Sequence, residues 1–222
     1  MKRYQMSESL PVGLLLALAG GILDSYTYLN RGQVFATAET GNLVLLGIHL
    51  AQGELGRVLS CLFPILAFAL GVLTTEGLRR RLSSGRVHWR QPILAAECLV
   101  ILVVSFLPQG DLDALANVLI AFTSAIQIES FRKFAGCGCA TTMCTGNLRS
   151  AADNLYAGLA LHDAPALLRA SRYLSVVLVF VLGAVAGAFL TQALAEKAVL
   201  LCTLPLLAAF GVMFLPTGEA AP

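Results

Sequence analysis

The chain has 222 residues, of which 57% are hydrophobic and only 13% charged, and its mean hydropathy is +0.78. A soluble domain carries a charged fraction nearer a quarter, so this composition is that of a membrane protein. The 15 basic and 13 acidic side chains leave a net charge of +2, and the single Trp with no interleaved basic and aromatic patch excludes a nucleic-acid partner. Six cysteines in so apolar a chain do not form the dense disulfide framework of a small secreted domain.

In chain order, apolar runs long enough to cross roughly 30 Å of hydrocarbon as helices lie at 11–29, 58–78, 91–107, 114–131, 173–194 and 198–215. Lys2-Arg3 ahead of the first run and Ala17-Leu18-Ala19 within it have the features of a secretory signal. The mid-chain counterpart of this run, described next, makes retention the expectation. Two shorter segments, 40–50 and 145–155, rise as helices by only about 16 Å, near half the hydrocarbon thickness. Polar or Gly-rich pieces separate the runs as loops: Asn30-Arg31-Gly32-Gln33, Gln52-Gly53-Glu54, Gly136-Cys137-Gly138 and His162-Asp163-Ala164-Pro165.

A shift of 105 residues places Asp24-Ser25-Tyr26 on Glu129-Ser130-Phe131, Thr37 on Thr142, and Thr40-Gly41-Asn42-Leu43 on Thr145-Gly146-Asn147-Leu148. After a seven-residue insertion the register resumes, with Phe68-Ala69-Leu70-Gly71 over Phe180-Val181-Leu182-Gly183. The chain therefore reads as a duplication, with repeat 1 at about 11–108 and repeat 2 at about 114–216. Lys and Arg concentrate in cytoplasmic loops. If the two short segments enter and leave on one side, 12 of the 15 basic residues are cytoplasmic, and only Arg31, Arg57 and Lys197 are outside. Each half then has three spans, and the second half is upside down relative to the first. The expected fold is an all-α integral membrane protein with one transmembrane domain over 1–222. Its six helices form an inverted 3+3 repeat, and each half holds a re-entrant half-helix that opens with Thr-Gly-Asn. Many secondary transporters follow this plan, with sites near the midplane at the repeat interface.

Gly20-Gly21-Ile22-Leu23-Asp24, Phe35 and Thr40-Gly41-Asn42, echoed by Thr141-Thr142-Met143-Cys144-Thr145-Gly146-Asn147, resemble the YoaK family of bacterial six-span membrane proteins. The resemblance covers nearly the whole chain and implies the six-span fold. It brings no substrate, because the family's activity is unassigned. Glu39 and the cysteines Cys137, Cys139 and Cys144 are not part of that pattern, so a function built on them is local to this sequence.

Thr and Asn are preferred helix N-caps, so each short helix is expected to begin at its Thr-Gly-Asn station, with that end the deep one. Two helix N-termini, related by pseudo-symmetry, then point at one another near the midplane. Their partial positive charge and free N–H groups suit an anion or the negative end of a dipolar solute. The candidate binding residues are Thr40, Gly41, Asn42, Thr145, Gly146 and Asn147, with Thr37, Thr142 and Arg149 beside them. Asp24 lies about 20 Å along its helix, counted from Pro11, at a depth where an ionisable group is by default functional. Asp24 and its counterpart Glu129 are the candidate coupling carboxyls, although Arg132 and Lys133 offer Glu129 ordinary ion pairs. Glu97 and Glu39 are further buried-acid candidates. The spacing Cys-x-Cys-x4-Cys of Cys137, Cys139 and Cys144 is not a strong metal signature, and no metal or cofactor is expected. His49, His88 and His162 are dispersed. Gly183-x-x-x-Gly187 and Ala67-x-x-x-Gly71 are small-residue stripes for close helix packing.

These features favour a transporter or channel of the inner membrane for a small solute, anionic or dipolar, coupled to protons through an intramembrane carboxylate, with both termini cytoplasmic. Its partners are the lipid bilayer and the solute or ion, and monomer and homodimer are both open. The rival classes are a membrane-embedded enzyme, for which H-E-x-x-H, G-x-S-x-G and phosphate-loop motifs are all missing, and a non-transporting assembly subunit.

Overall fold

The computed structural model describes residues 6–82 and 90–215. The 83–89 connection, both chain ends and the side chains of Arg80, Arg81 and Leu82 lie outside that description, and with them the arginine-rich loop and the termini on which the orientation reading rests. The described chain is almost wholly helical: a 3₁₀ turn Met6–Glu8, then α1 (Leu10–Asn30), α2 (Glu39–Gln52), α3 (Leu55–Leu82), α4 (Arg90–Val104), α5 (Asp113–Ser130), α6 (Cys144–Ala160), α7 (Ala164–Leu194), a 3₁₀ stretch Ala195–Cys202, and α8 (Thr203–Val212). The fold is all-α as expected, with one two-residue hairpin in the linker before α6. β1 (Lys133–Phe134) pairs antiparallel with β2 (Cys137–Gly138), and the turn residues Ala135 and Gly136 have φ of 49° and 81°, as a two-residue hairpin requires.

Among the described residues, three helical stretches are long and apolar enough to cross a membrane: Leu10–Asn30, Leu55–Arg79 and Ala164–Val212. The last takes in α7, the 3₁₀ stretch and α8. By contrast, α4 has 15 residues and α5 has 18, below the roughly 20 of a full span. The short helices are longer than their apolar cores, at 14 residues for α2 and 17 for α6. Helix α7 starts nine residues ahead of the expected 173, because Asp163 accepts a hydrogen bond from Ala166 N at 3.2 Å and Pro165 occupies the first turn. The Asp-Ala-Pro sequence is a helix start rather than a loop.

Helix α1 is the buried centre, with Val12, Leu16, Ala17, Leu23 and Tyr26 in the core. The outer helices invert the soluble pattern. Leu59, Phe63, Leu66, Leu70 and Leu73 run along one exposed face of α3, and Leu178, Val181, Leu182, Val185 and Phe189 along α7. Contiguous apolar stripes of this length suit hydrocarbon and not water.

The helix contacts keep their pattern when α1–α4 are exchanged for α5–α8. Thus α1 packs on α7 as α5 packs on α3, α2 on α3 as α6 on α7, and α4 on α5 as α8 on α1. Aligned glycines make the two main crossings. A Cβ on Gly71 would stand 2.6 Å from the Phe122 carbonyl oxygen on α5, and one on Gly183 would stand 2.3 Å from the Leu18 oxygen on α1. Gly187 meets Ile22 and Ser25 in the same way.

The ends of the bundle are tied by arginines. Arg90 donates to Ser7 Oγ at 2.7 Å, Glu8 Oε1 at 3.0 Å and the Ser130 carbonyl at 2.9 Å, and Arg172 reaches the Ala135 carbonyl at the hairpin tip. At the α1 C-terminus Arg31 is 0% exposed, although its place in a polar turn suggested a loop residue at the surface. Its Nε donates to Tyr26 Oη, Nη1 to the Pro108 carbonyl and Asp113 Oδ1, and Nη2 to the Val104 and Leu107 carbonyls, all within 2.8–3.2 Å. One guanidinium thus makes five hydrogen bonds, four to the carbonyls at and after the α4 C-terminus and to the first turn of α5, and one to Tyr26 on α1.

Gly183→Ala is expected to destabilise the protein by about 1–3 kcal/mol through overpacking. Gly47→Ala, whose Cβ meets nothing within 4 Å, is expected to be neutral or to stabilise by up to about 1 kcal/mol. Melting in detergent reads both signs. Arg31→Met should cost about 3–5 kcal/mol, as removal of one side of a buried charged network does. Arg31→Lys should recover little of it, because an ammonium has three donors and no fork.

Candidate functional site

Two non-helical linkers lead into the short helices, 31–38 into α2 and 131–143 into α6. The first is clamped from two sides. Asp24, 4% exposed on α1, accepts from Thr37 N at 2.7 Å through Oδ1 and from Thr37 Oγ1 at 2.8 Å through Oδ2. Asn42, fully buried in α2, accepts from Phe35 N at 2.9 Å and donates through Nδ2 to the Phe35 carbonyl at 2.8 Å and to Glu39 Oε2 at 3.0 Å. In the second linker Asn147 donates to the Ala140 carbonyl at 2.7 Å and accepts from Cys139 Sγ at 3.2 Å. Both asparagines thus hold the carbonyl seven residues before them, and the two carbonyls are themselves 105 residues apart.

This overturns their expected role as caps. The N-cap positions are Ala38 and Met143, and neither helix has a side-chain cap hydrogen bond. Thr40, Gly41 and Asn42 lie inside the first turn of α2, and Thr145, Gly146 and Asn147 inside that of α6. The amide of Asn can satisfy a linker N–H and C=O together, which a capping oxygen cannot.

Both first turns open on one cavity of about 780 Å³. Its walls include Thr40 and Gly41 from α2, Thr145 and Gly146 from α6, Asp24, Thr37 and Thr142, and the rings of Tyr28, Phe35, Phe68 and Phe180. Tyr28 stacks on Phe35 with centroids 4.8 Å apart. Asn42 and Asn147 stand behind these walls. A second cavity, of about 420 Å³, is lined by Val34, His49, Arg57, Ser60 and Cys61, among others. Val34 lines the second cavity and Phe35 the first, so the segment that Asn42 clamps borders both.

The counterpart acids part company. Glu129 pairs with Arg132 and does not line the large cavity, whereas Asp24 does. Thr142, 7% exposed, has a buried hydroxyl with no hydrogen-bond partner, while its equivalent Thr37 is held by Asp24. Arg149 is 85% exposed and stands 3.8 Å from Asp153, away from the cavity. Glu97, 1% exposed, accepts from Gln127 Nε2 at 3.0 Å between α4 and α5 and is likewise outside the cavity. All six cysteines are free, and no group of three or more His, Cys, Asp or Glu placed to hold a metal occurs among the described residues. Glu39 was legible only as an acid before the first Thr-Gly-Asn; in the structure it lines the cavity and is tied to Asn42.

The family model described as "Protein of unknown function (DUF1275)" matches residues 12–212. The chain belongs to this family. The UPF0700 transmembrane protein YoaK of Bacillus subtilis (strain 168) is 29% identical over 150 residues, which cover 64% of this chain and 64% of YoaK. No solved structure matches. With the apolar faces of α3 and α7, these likenesses make the chain an integral membrane protein of the DUF1275 family.

Asn42→Asp removes both donors of the clamp and sets a second carboxyl beside Glu39, whereas Asn147→Asp removes one donor and keeps the acceptor for Cys139. Amide exchange at 34–38 in the first variant should accelerate about tenfold or more, the effect of losing about 1–3 kcal/mol of hydrogen bonding. Exchange at 139–143 in the second should accelerate less.

Proposed function

We propose that this DUF1275 protein is a transporter or channel of the inner membrane whose solute occupies the large cavity between the first turns of α2 and α6. The observation that carries the reading is the convergence on one cavity of residues from two sequence-equivalent stations. In this reading α1, α3, α4, α5, α7 and α8 with its 3₁₀ lead-in are six spans, α2 and α6 are re-entrant, and the halves form an inverted repeat. The exchange-invariant helix contacts, the paired glycine crossings and the two Asn-to-carbonyl clamps support it. Both termini and the 83–89 connection are then cytoplasmic. Thr37, Thr40, Gly41, Thr142, Thr145 and Gly146 meet the solute, and Asn42 and Asn147 position them.

A cavity with two carboxyls and no basic lining residue does not support the anionic limb of the sequence reading, and Arg149 is too exposed to supply it. A solute that presents positive charge to the carboxyls, as one end of a dipole or as its whole charge, is the better fit. Asp24 is the intramembrane carboxyl placed for proton coupling, while Glu129 is committed to its arginine. A cavity of several hundred cubic ångströms is of ligand size, which favours transport over a packed assembly subunit and over hydrolysis at a water-sized pocket.

A thermal-shift screen in detergent identifies a solute through the stability that native-state binding adds. Proteoliposomes should then take it up, and Asn42→Ala and Asn147→Ala should each cut the rate about tenfold, equivalent to 1.4 kcal/mol, while the protein still folds and inserts. Undiminished flux in both variants removes the site, and labelling of the 83–89 connection from outside the cell removes the inverted topology.

A further inference from the structure

The acid-rich, base-free lining of the large cavity narrows its ligand further, on the assumption that the cavity is the solute site proposed above. Glu39 contributes a second carboxyl beside Asp24. One of its oxygens accepts from Asn42, and the other, Oε1, is buried with no hydrogen-bond partner. Asp24, in contrast, spends both oxygens on Thr37. Across the same cavity the Thr142 hydroxyl, on a residue only 7% exposed, is also unpartnered. Lys, Arg and His are all missing from the lining.

Native proteins rarely leave buried polar atoms unsatisfied, and each such atom costs about 1–3 kcal/mol. Glu39 and Thr142 both line this cavity, and a rotation of each side chain would bring its unpartnered oxygen to a single ligand that carries positive charge. The remaining wall is aromatic, with Tyr28, Phe35, Phe68 and Phe180 around the space, and ring faces attract cations as well as apolar groups. A hydrated metal ion would gain little from such walls, and an anion would meet two carboxyls.

We propose that the cavity binds a monovalent organic cation with an apolar body, its charge directed to Glu39 and its body held against the four rings. The position 105 residues after Glu39 is Cys144, so the charge contact belongs to the first station alone.

The test uses two ions of nearly the same shape and opposite charge, tetraphenylphosphonium and tetraphenylborate, titrated calorimetrically against the full chain in detergent. Wild type should bind the phosphonium, and Glu39→Gln should weaken that binding about tenfold or more while leaving melting within a degree or two, as loss of one desolvated charge contact implies. Phe68→Leu, which keeps the apolar volume but removes a ring, should weaken it by a smaller factor. Borate binding as tight as phosphonium binding in wild type, or phosphonium binding unchanged in Glu39→Gln, overturns the proposal. If Glu39→Gln fails to fold, Glu39→Asp replaces it, and unchanged phosphonium affinity there also overturns it. Phosphonium binding, with no solute carried into proteoliposomes faster than into protein-free vesicles, keeps the cation site and sinks the transport reading. Flux confined to neutral or anionic solutes keeps transport and sinks the cation site.

Discussion

Backbone that leaves helical geometry inside an apolar bundle must find every hydrogen-bond partner within the protein, because lipid offers none. Much of this chain's polar chemistry answers that demand. Phe35 has its N–H and C=O taken by one asparagine, Thr37 has its N–H taken by Asp24, and Ala140 has its carbonyl taken by Asn147. These clamps hold the linkers that lead into the first turns of α2 and α6, which open on a shared cavity. Arg31 does the same service for the carbonyls that follow α4. Polar side chains that composition marks as rare are therefore concentrated where the backbone is irregular.

The two halves keep one skeleton and change its fittings. In the first half an acid on α1 holds the threonine of the linker. In the second half the equivalent acid turns to Arg132, the threonine is left without a partner, and a hairpin is built into the linker, with Ala135 N donating to the Glu8 carbonyl at its tip. The cavity is therefore lined by two equivalent stations that differ in chemistry. One wall carries Asp24 and Glu39, and the other offers the Thr142 hydroxyl and the thiol-bearing first turn at Cys144.

Much of the architecture was legible because it depends on period and spacing. The apolar runs locate the long helices, the offset of 105 residues locates the two stations, and the small-residue stripes mark the crossings where Gly71 and Gly183 meet neighbouring backbone. What was not legible depends on where one side chain turns. Thr-Gly-Asn reads as a cap because Thr and Asn cap most helices, yet Asn42 reaches back seven residues, a distance that no local pattern encodes. Arg31 reads as a surface residue because it stands in Asn-Arg-Gly-Gln, and only the return of the α4–α5 connection buries it. Asp163-Ala164-Pro165 carried a helix-start signal of its own, which the Pro after a polar pair disguised as a turn.

The position of the asparagines links the linkers to the cavity walls unequally. Val34 lines the small cavity and Phe35 the large one, and Asn42 grips Phe35 at both its N–H and its C=O while its amide also holds Glu39. Linker and carboxyl therefore share one amide group, so a change at Glu39 reaches the hydrogen bonds that hold Phe35 in place through a single side chain. In the second half Asn147 holds Ala140 without an acid attached. Of the two clamps, only the first therefore joins its linker to an acid that lines the large cavity.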